Sequence, residues 1–290
     1  MSEFLQFAFS GMTVGAVYAL VALGFTLIYN ASDVVNFAQG EFVMIGGMVT
    51  AFLYAAGTPL WLAALLAIVV AAIVGVLLNK LAVEPARGAS VVSLIVITIG
   101  ASIFLRGLAA IVFDKQIHRF PAFTGEDPIG IMGATIVPQS LWVVGGGLAI
   151  FAALYVFLTK SVIGKAVLAT ANNRLAAKLV GINTNHMMTL SFGMSAAVGG
   201  LAGVLATPIT LTSYDMGISL ALKGFAAAML GGMGSPLGAL VGGFLIGLIE
   251  QMTAGYISSE YKDAAAFIVI LVVLFTMPRG LFGPRIAERV

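Results

Sequence analysis

Leu60-Trp-Leu-Ala-Ala-Leu-Leu-Ala-Ile-Val-Val-Ala-Ala-Ile-Val-Gly-Val-Leu-Leu-Asn79 runs for the length of a membrane span without one charged side chain. A helix rises 1.5 Å per residue, so this run matches the ~30 Å hydrocarbon layer of a bilayer. A surface helix of a soluble domain would need a polar face, and this one has none. Working outward, similar apolar runs cover 5–28, 42–56, 91–113, 138–158, 186–207 and 264–278. The stretch 219–250 is apolar but broken by Gly231-Gly-Met-Gly-Ser-Pro236, which predicts a short segment followed by a returning helix. The expectation is an all-α polytopic membrane protein, one transmembrane domain over 1–290, with eight or nine segments and short loops.

Composition supports this. Of 290 residues, 60% are apolar and 9% charged, far below the roughly one quarter charged that a soluble domain carries. The net charge of +2 is too small and scattered to argue for nucleic acid. With no cysteine, disulfides and thiolate metal sites are excluded, and neither metal nor cofactor is expected. Met1-Ser-Glu-Phe-Leu5 lacks the basic start of a cleaved signal peptide, so the first apolar run reads as a retained span.

Lys and Arg set the orientation. The loop 79–90 carries Lys80 and Arg87, the stretch 159–185 carries Lys160, Lys165, Arg174 and Lys178, and the tail carries Arg279, Arg285 and Arg289. Placing these inside puts 114–137 and 251–263 outside and the C-terminus in the cytoplasm. Nine segments then put the N-terminus outside.

The inside stretch 159–185 is rich in Ala and Leu from Lys165 to Val180, and Gly181-Ile182 has the form of a glycine cap with its hydrophobic contact. It reads as one short amphipathic helix, with two roles open: an interfacial helix in the headgroups, or a docking helix in the groove of a partner. Between two spans, Asn36, Phe37, Gln39, Gly40 and Glu41 also allow two readings. Either Glu41 caps the next helix, or polar backbone at membrane depth lines a pathway. Gly234, Gly238 and Gly242 recur every four residues, as do Ala239, Gly243 and Gly247, a pattern for close helix packing near the pathway or a partner subunit. Arg106 and Glu250, near the outer ends of their spans, read as interfacial anchors. Gly11-Met-Thr to Met44-Ile-Gly-Gly-Met48 echoes Gly193-Met-Ser to Met229-Leu-Gly-Gly-Met233, as inverted repeats would.

Three stretches carry a resemblance: Gly164-Lys-Ala-x-x-Ala169-x-Ala171-x-x-x-x-x-Ala177-x-x-x-Gly181-Ile-Asn183; Tyr18-Ala-Leu-Val-Ala-Leu-Gly-Phe-Thr-Leu-Ile-Tyr29 with Val35-Asn-Phe-Ala-Gln-Gly-Glu-Phe42; and Lys223-Gly-Phe-Ala-Ala-Ala-Met-Leu-Gly-Gly-Met-Gly-Ser-Pro-Leu-Gly-Ala239. Together they resemble the permease subunits of branched-chain amino acid ABC importers, and the shorter of the two permeases in particular. The resemblance runs from about Phe9 to Gly283. It implies a permease in the bacterial inner membrane, paired with a second related permease, two cytoplasmic ATP-binding subunits and a periplasmic substrate-binding protein. It also implies that Ala169, Asn172, Asn173, Arg174, Ala177, Lys178 and Gly181 contact the ATPase. Leu168 stands where the family usually has Arg, Asn172-Asn173 where an acid is common, and Gln39 where His is frequent. These departures bear on charge pairing at the ATPase contact.

No Gly-x-x-x-x-Gly-Lys-Ser/Thr loop is present; Gly164-Lys165 is followed by Ala166, so nucleotide hydrolysis falls to other chains. The alternative is a secondary transporter or channel for small polar solutes driven by an ion gradient. It calls for acids buried within spans, and Asp33, Glu41 and Asp215 all fall at ends or breaks. An intramembrane hydrolase using Ser235 would need a facing base, and His118 and His186 are placed elsewhere.

Overall fold

The computed structural model describes residues 2–86 and 88–283. Arg87, Arg285 and Arg289, used above to orient the chain, lie outside the described residues. The helices are α1 (Ser2–Ser32), α2 (Gln39–Ala55), α3 (Leu60–Leu78), α4 (Val91–Val112), α5 (Pro138–Lys160), α6 (Val162–Asn172), α7 (Arg174–Leu179), α8 (Thr184–Thr210), α9 (Met216–Gly231), α10 (Pro236–Tyr256) and α11 (Lys262–Thr276). α3 ends in one wide π-helical turn, Asn79–Val83. A small hairpin joins β1 (Ile129–Ile131) to β2 (Ala134–Ile136) in the loop before α5. Its turn residues Met132 and Gly133 both have positive φ, 51° and 83°, the pairing that matches strand twist in a two-residue hairpin loop.

Local chemistry sets the helix starts. Ser90 Oγ accepts from Ser93 N, Asn183 Oδ1 from Asn185 N and His186 N, and Ser235 Oγ from Gly238 N. Each meets donors that the first helical turn leaves unpaired. Pro138 and Pro236 begin α5 and α10, where a missing N–H costs nothing.

Among the described residues, six helices (α1, α3 with its π-turn, α4, α5, α8 and α10) are long and apolar enough to cross a membrane. α2, α9 and α11, at 17, 16 and 15 residues, are shorter. Burial grades from the centre outward: 89% of the α1 span window and 72% of the α8 window are buried, against 17% for α4 and α5. α1 and α8 therefore form the heart of the bundle, while α3, α4, α5 and α11 present apolar side chains outward.

The packing has a mirrored order. α1 lies on α10 as α8 lies on α3; α9 lies on α1 as α2 lies on α8; α2–α3 and α9–α10 are sequential pairs. Exchanging α1–α3 with α8–α10 preserves these contacts, as two structural repeats require. The connections correspond too. α1 and α8 are each followed by a non-glycine residue in the left-handed region, Asp33 (φ 57°) and Leu211 (φ 62°).

Several expectations need correction. The stretch 159–185 is not one helix from Lys165 to Val180. It breaks at Asn173, whose extended backbone (φ −156°, ψ 100°) lets Oδ1 cap Ala176 N and start α7. Gly181 closes α7 with φ +87°, Gly181 N bonding Lys178 O and Ile182 N bonding Ala177 O. Gly234 is not on the packed helix; it sits in the turn before α10 with φ +93°, its carbonyl accepting from Asn30 Nδ2. Glu250 is no interfacial anchor: it is 2% exposed.

Candidate functional site

α2 begins inside the bundle. Gln39, its first residue, is fully buried, with Nε2 3.3 Å from Ser195 O and Oε1 2.6 Å from Ser195 Oγ. The same hydroxyl lies 2.8 Å from Gly24 O, and its single proton serves one acceptor at a time. Gly24 lies eight residues before the end of α1, so α2 starts about 12 Å below that end. In the connection Asn36 Oδ1 accepts from Ala38 N and Phe37 N donates to Thr98 Oγ1 of α4, while Asn36 Nδ2 is buried without a partner.

The first turns of α2 and α9 meet at two glycines. A Cβ on Gly40 would strike Gly217 O, and one on Gly217 would strike the Glu41 carboxylate. Any side chain here would push the helix starts apart. Glu41 is 1% exposed and does not cap α2 with its carboxylate. Oε1 accepts from Ser102 Oγ at 2.7 Å, while Oε2 has no partner. A buried carboxylate is expensive to ionise. This one sits at two helix N-termini, whose unpaired N–H groups and dipoles favour negative charge.

On α4, Ser102 and Arg106 are one turn apart and line a cleft of about 220 Å³ with Phe37, Ile103, Ile218 and Leu222. Arg106 therefore lines this cleft rather than serving only as an anchor near the end of its span. Sequence reasoning missed both residues as site members. Their i, i+4 spacing on an otherwise apolar helix was the available signal.

A second polar cluster lies on α10. Glu250 accepts from Tyr18 OH at 2.8 Å and pairs with Lys223 Nζ at 2.8 Å. Lys223 also reaches Asp263 at 2.8 Å and stands 5.4 Å over the Tyr18 ring. The idea that the spans bury almost no acids is thus corrected, since Glu41 and Glu250 are both buried. Among the described residues, no cluster of His, Asp and Glu is arranged to hold a metal ion.

The small residues of α10 serve contacts within this chain. A Cβ on Gly238 would meet Gly231 O, and one on Gly242 would meet Ala227 O, both on α9. Gly243 and Gly247 seat the other side of the helix against Ala19 and Gly15 of α1.

In α6–α7, Asn172, Asn173, Lys178 and Gly181 are exposed, and Ala169 and Arg174 are half-buried. Ala177 is 3% exposed and faces the bundle, contrary to its expected place in a partner's groove, because the Asn173 break turns α7. The apolar side chains that α6–α7 presents outward are instead Val162, Leu175, Leu179 and Val180, each more than 70% exposed.

Residues 7–274 match the family model described as the permease component of the branched-chain amino acid transport system. The chain belongs to the branched-chain amino acid permease family. Within this permease family it is similar to the high-affinity branched-chain amino acid transport system permease protein LivH of Escherichia coli K12. The two are 34% identical over 99% of this chain and 98% of LivH. BraD of Pseudomonas aeruginosa, another permease protein of such a system, is 31% identical over 99% of this chain and 98% of its own length. The ribose import permease protein RbsC of Escherichia coli K12 is a more distant relative, at 22% identity over 89% of this chain and 81% of RbsC. Among solved structures, a chain of PsaBC from Streptococcus pneumoniae in complex with Fab shares the fold. Its TM-score is 0.51 at 16% identity, covering 95% of this permease and 92% of that chain.

Proposed function

We propose that this permease is a translocation subunit of an ATP-driven ABC importer for branched-chain or related hydrophobic amino acids. It lies in a bacterial plasma membrane with its C-terminus in the cytoplasm. It pairs with a second related permease, receives substrate from a periplasmic binding protein and is driven by two cytoplasmic ATP-binding subunits. The observation that carries this reading is the match to branched-chain amino acid permeases over residues 7–274, which runs through α6–α7.

The packing supplies a mechanical route. α6 contacts α5, α1 and α8, and α7 contacts α8, so a displacement of α6–α7 is delivered to the two central helices. Those helices hold the start of α2 through Gly24, Ser195 and Gln39. Rocking α8 against α1 would therefore move the depth at which α2 and α9 begin. The exposed Leu175, Leu179 and Val180 are the side chains that favour burial in an ATPase groove.

The buried acids Glu41 and Glu250 are the one feature that favours an ion-driven carrier. Glu250 is held by Lys223 and Tyr18, which leaves Glu41 as the group such a carrier would use. Uptake of radiolabelled L-leucine into vesicles holding the whole complex separates the two. The importer requires internal ATP and the binding protein and ignores a protonophore; uptake without ATP that collapses with the proton gradient would refute it.

A further inference from the structure

We propose that the cleft between α4, Phe37 just before α2 and the start of α9 holds the backbone of a zwitterionic α-amino acid, its ammonium reaching Glu41 behind the Ser102 hydroxyl and its carboxylate facing Arg106. This rests on the reading of the chain as an amino acid permease and adds to it the groups that recognise the substrate.

Charge placement is the first argument. Of the two buried Glu41 oxygens, Oε2 lies unpartnered against Gly217, and Oε1 lies behind the cleft-lining Ser102. Among the described residues Arg106 makes no ion pair or hydrogen bond, although it is near enough to act on the Glu41 carboxylate electrostatically. An acid and a guanidinium placed for structure alone would close on each other as a bidentate pair. Here Ser102 stands between them: it lines the cleft beside Arg106 and gives its proton to Glu41 Oε1. A turn of the Ser102 side chain frees that oxygen for an incoming ammonium donor. Arg106 lines the cleft and Glu41 lies directly behind the Ser102 hydroxyl in its wall, so that once this hydroxyl turns aside a ligand with its own charges one carbon apart meets both.

Shape is the second argument. The cleft is about 220 Å³, below the ~300–1,000 Å³ of sites for drug-sized ligands and suited to a small solute. Its remaining walls, Phe37, Ile103, Ile218 and Leu222 among them, are apolar and fit an aliphatic side chain. A urea or simple amide would leave both charges unmet.

Position is the third argument. In transporters built from repeats, substrate sites lie where short helices of the two halves begin inside the membrane. α2 and α9 are such helices, and they touch at Gly40 and Gly217.

The chain has no cysteine, so Ile103→Cys gives a single thiol in the cleft wall. In membranes holding the assembled complex without the binding protein, L-leucine should slow labelling of that thiol by a small neutral maleimide severalfold. 4-Methylpentanoate and 3-methylbutylamine, which each lack one charge, should not. Adding Glu41→Gln or Arg106→Gln should raise the L-leucine concentration needed for protection about tenfold or more, as expected for one charge-assisted hydrogen bond. Labelling that L-leucine leaves unchanged, or that both analogues slow equally, would overturn the site. The first measurement needs no change at Glu41 or Arg106, so it stands even where those variants fail to fold. ATP-driven uptake measured in parallel separates the two ideas. Normal uptake with an unprotected thiol refutes only the cleft, whereas no ATP-driven uptake refutes the importer reading.

Discussion

Lys223→Met tests the polar cluster of α10 most directly. Lys223 Nζ and Glu250 Oε1 are 2.8 Å apart, with side chains 13% and 3% exposed. At an effective dielectric of ~20 their attraction is about 6 kcal/mol, opposed by the cost of taking both charges out of water. Removing one member of such a pair typically costs about 3–5 kcal/mol, because the other stays buried and charged. Glu250 would keep the Tyr18 hydroxyl at 2.8 Å and gain from Lys262, 3.9 Å away and 40% exposed. The loss should therefore fall near the lower bound, about 3 kcal/mol. Glu250→Gln should cost less, about 1–2 kcal/mol, since the amide still accepts from Tyr18 and Lys223 keeps Asp263 at 2.8 Å. The double variant Lys223→Met with Glu250→Leu removes both charges. It should recover at least about 1 kcal/mol over Lys223→Met alone, as for buried pairs replaced by apolar residues. The assay is loss of helical circular dichroism as the SDS fraction in mixed micelles is raised. A double variant no more stable than Lys223→Met would refute the claim that an uncompensated buried carboxylate is the cause.

Other outcomes follow from the packing. Gly243→Val would drive a side chain into the Ala19 backbone and should cost at least the ~1–3 kcal/mol of overpacking, read as a lower thermal midpoint of the isolated chain. A normal midpoint would show that α1 and α10 do not touch there. Leu179→Glu should leave folding intact, the side chain being 81% exposed, yet abolish binding-protein-stimulated ATP hydrolysis by the complex. Wild-type hydrolysis would remove α7 from the coupling contact. Cysteines at Glu126 and Leu175, both exposed, should react with an impermeant reagent from opposite sides of the membrane. Labelling of both in intact cells would contradict the assigned orientation.

The helices were legible where the chain states its own boundaries. The span expected at 91–113 is α4, Val91–Val112, started by the Ser90 cap, and α5 opens at Pro138 as the apolar run does. What stayed hidden depends on partners distant in sequence. Glu41 in a first helical turn looks like a cap, and only the arrival of α9 at Gly40 makes it a buried carboxyl group. Glu250 near a helix end looks like an anchor until Lys223, on the preceding helix, reaches it. Ala177 looked outward because the sequence of α6–α7 gives no sign that Asn173 would leave the helix and turn α7. Ser102 and Arg106 share an i, i+4 spacing, but that alone does not separate a cleft wall from a lipid-facing turn whose arginine snorkels.

The burial of α1 bears on how the protein is made. α1, at the centre of the bundle, leaves the ribosome before the helices that cover it, and its widest partner surface, on α10, comes more than two hundred residues later. At bacterial synthesis rates of about 5–20 residues per second, that delay is on the order of 10–40 s. Until Gly243 and Gly247 arrive, the groove of α1 around Gly15 and Ala19 has no matching ridge. Nascent chains cut short before Gly243 would present an open central helix to the membrane's proteases. Insertion is in effect proofread late, since only a chain synthesised past Gly247 can cover the groove of α1.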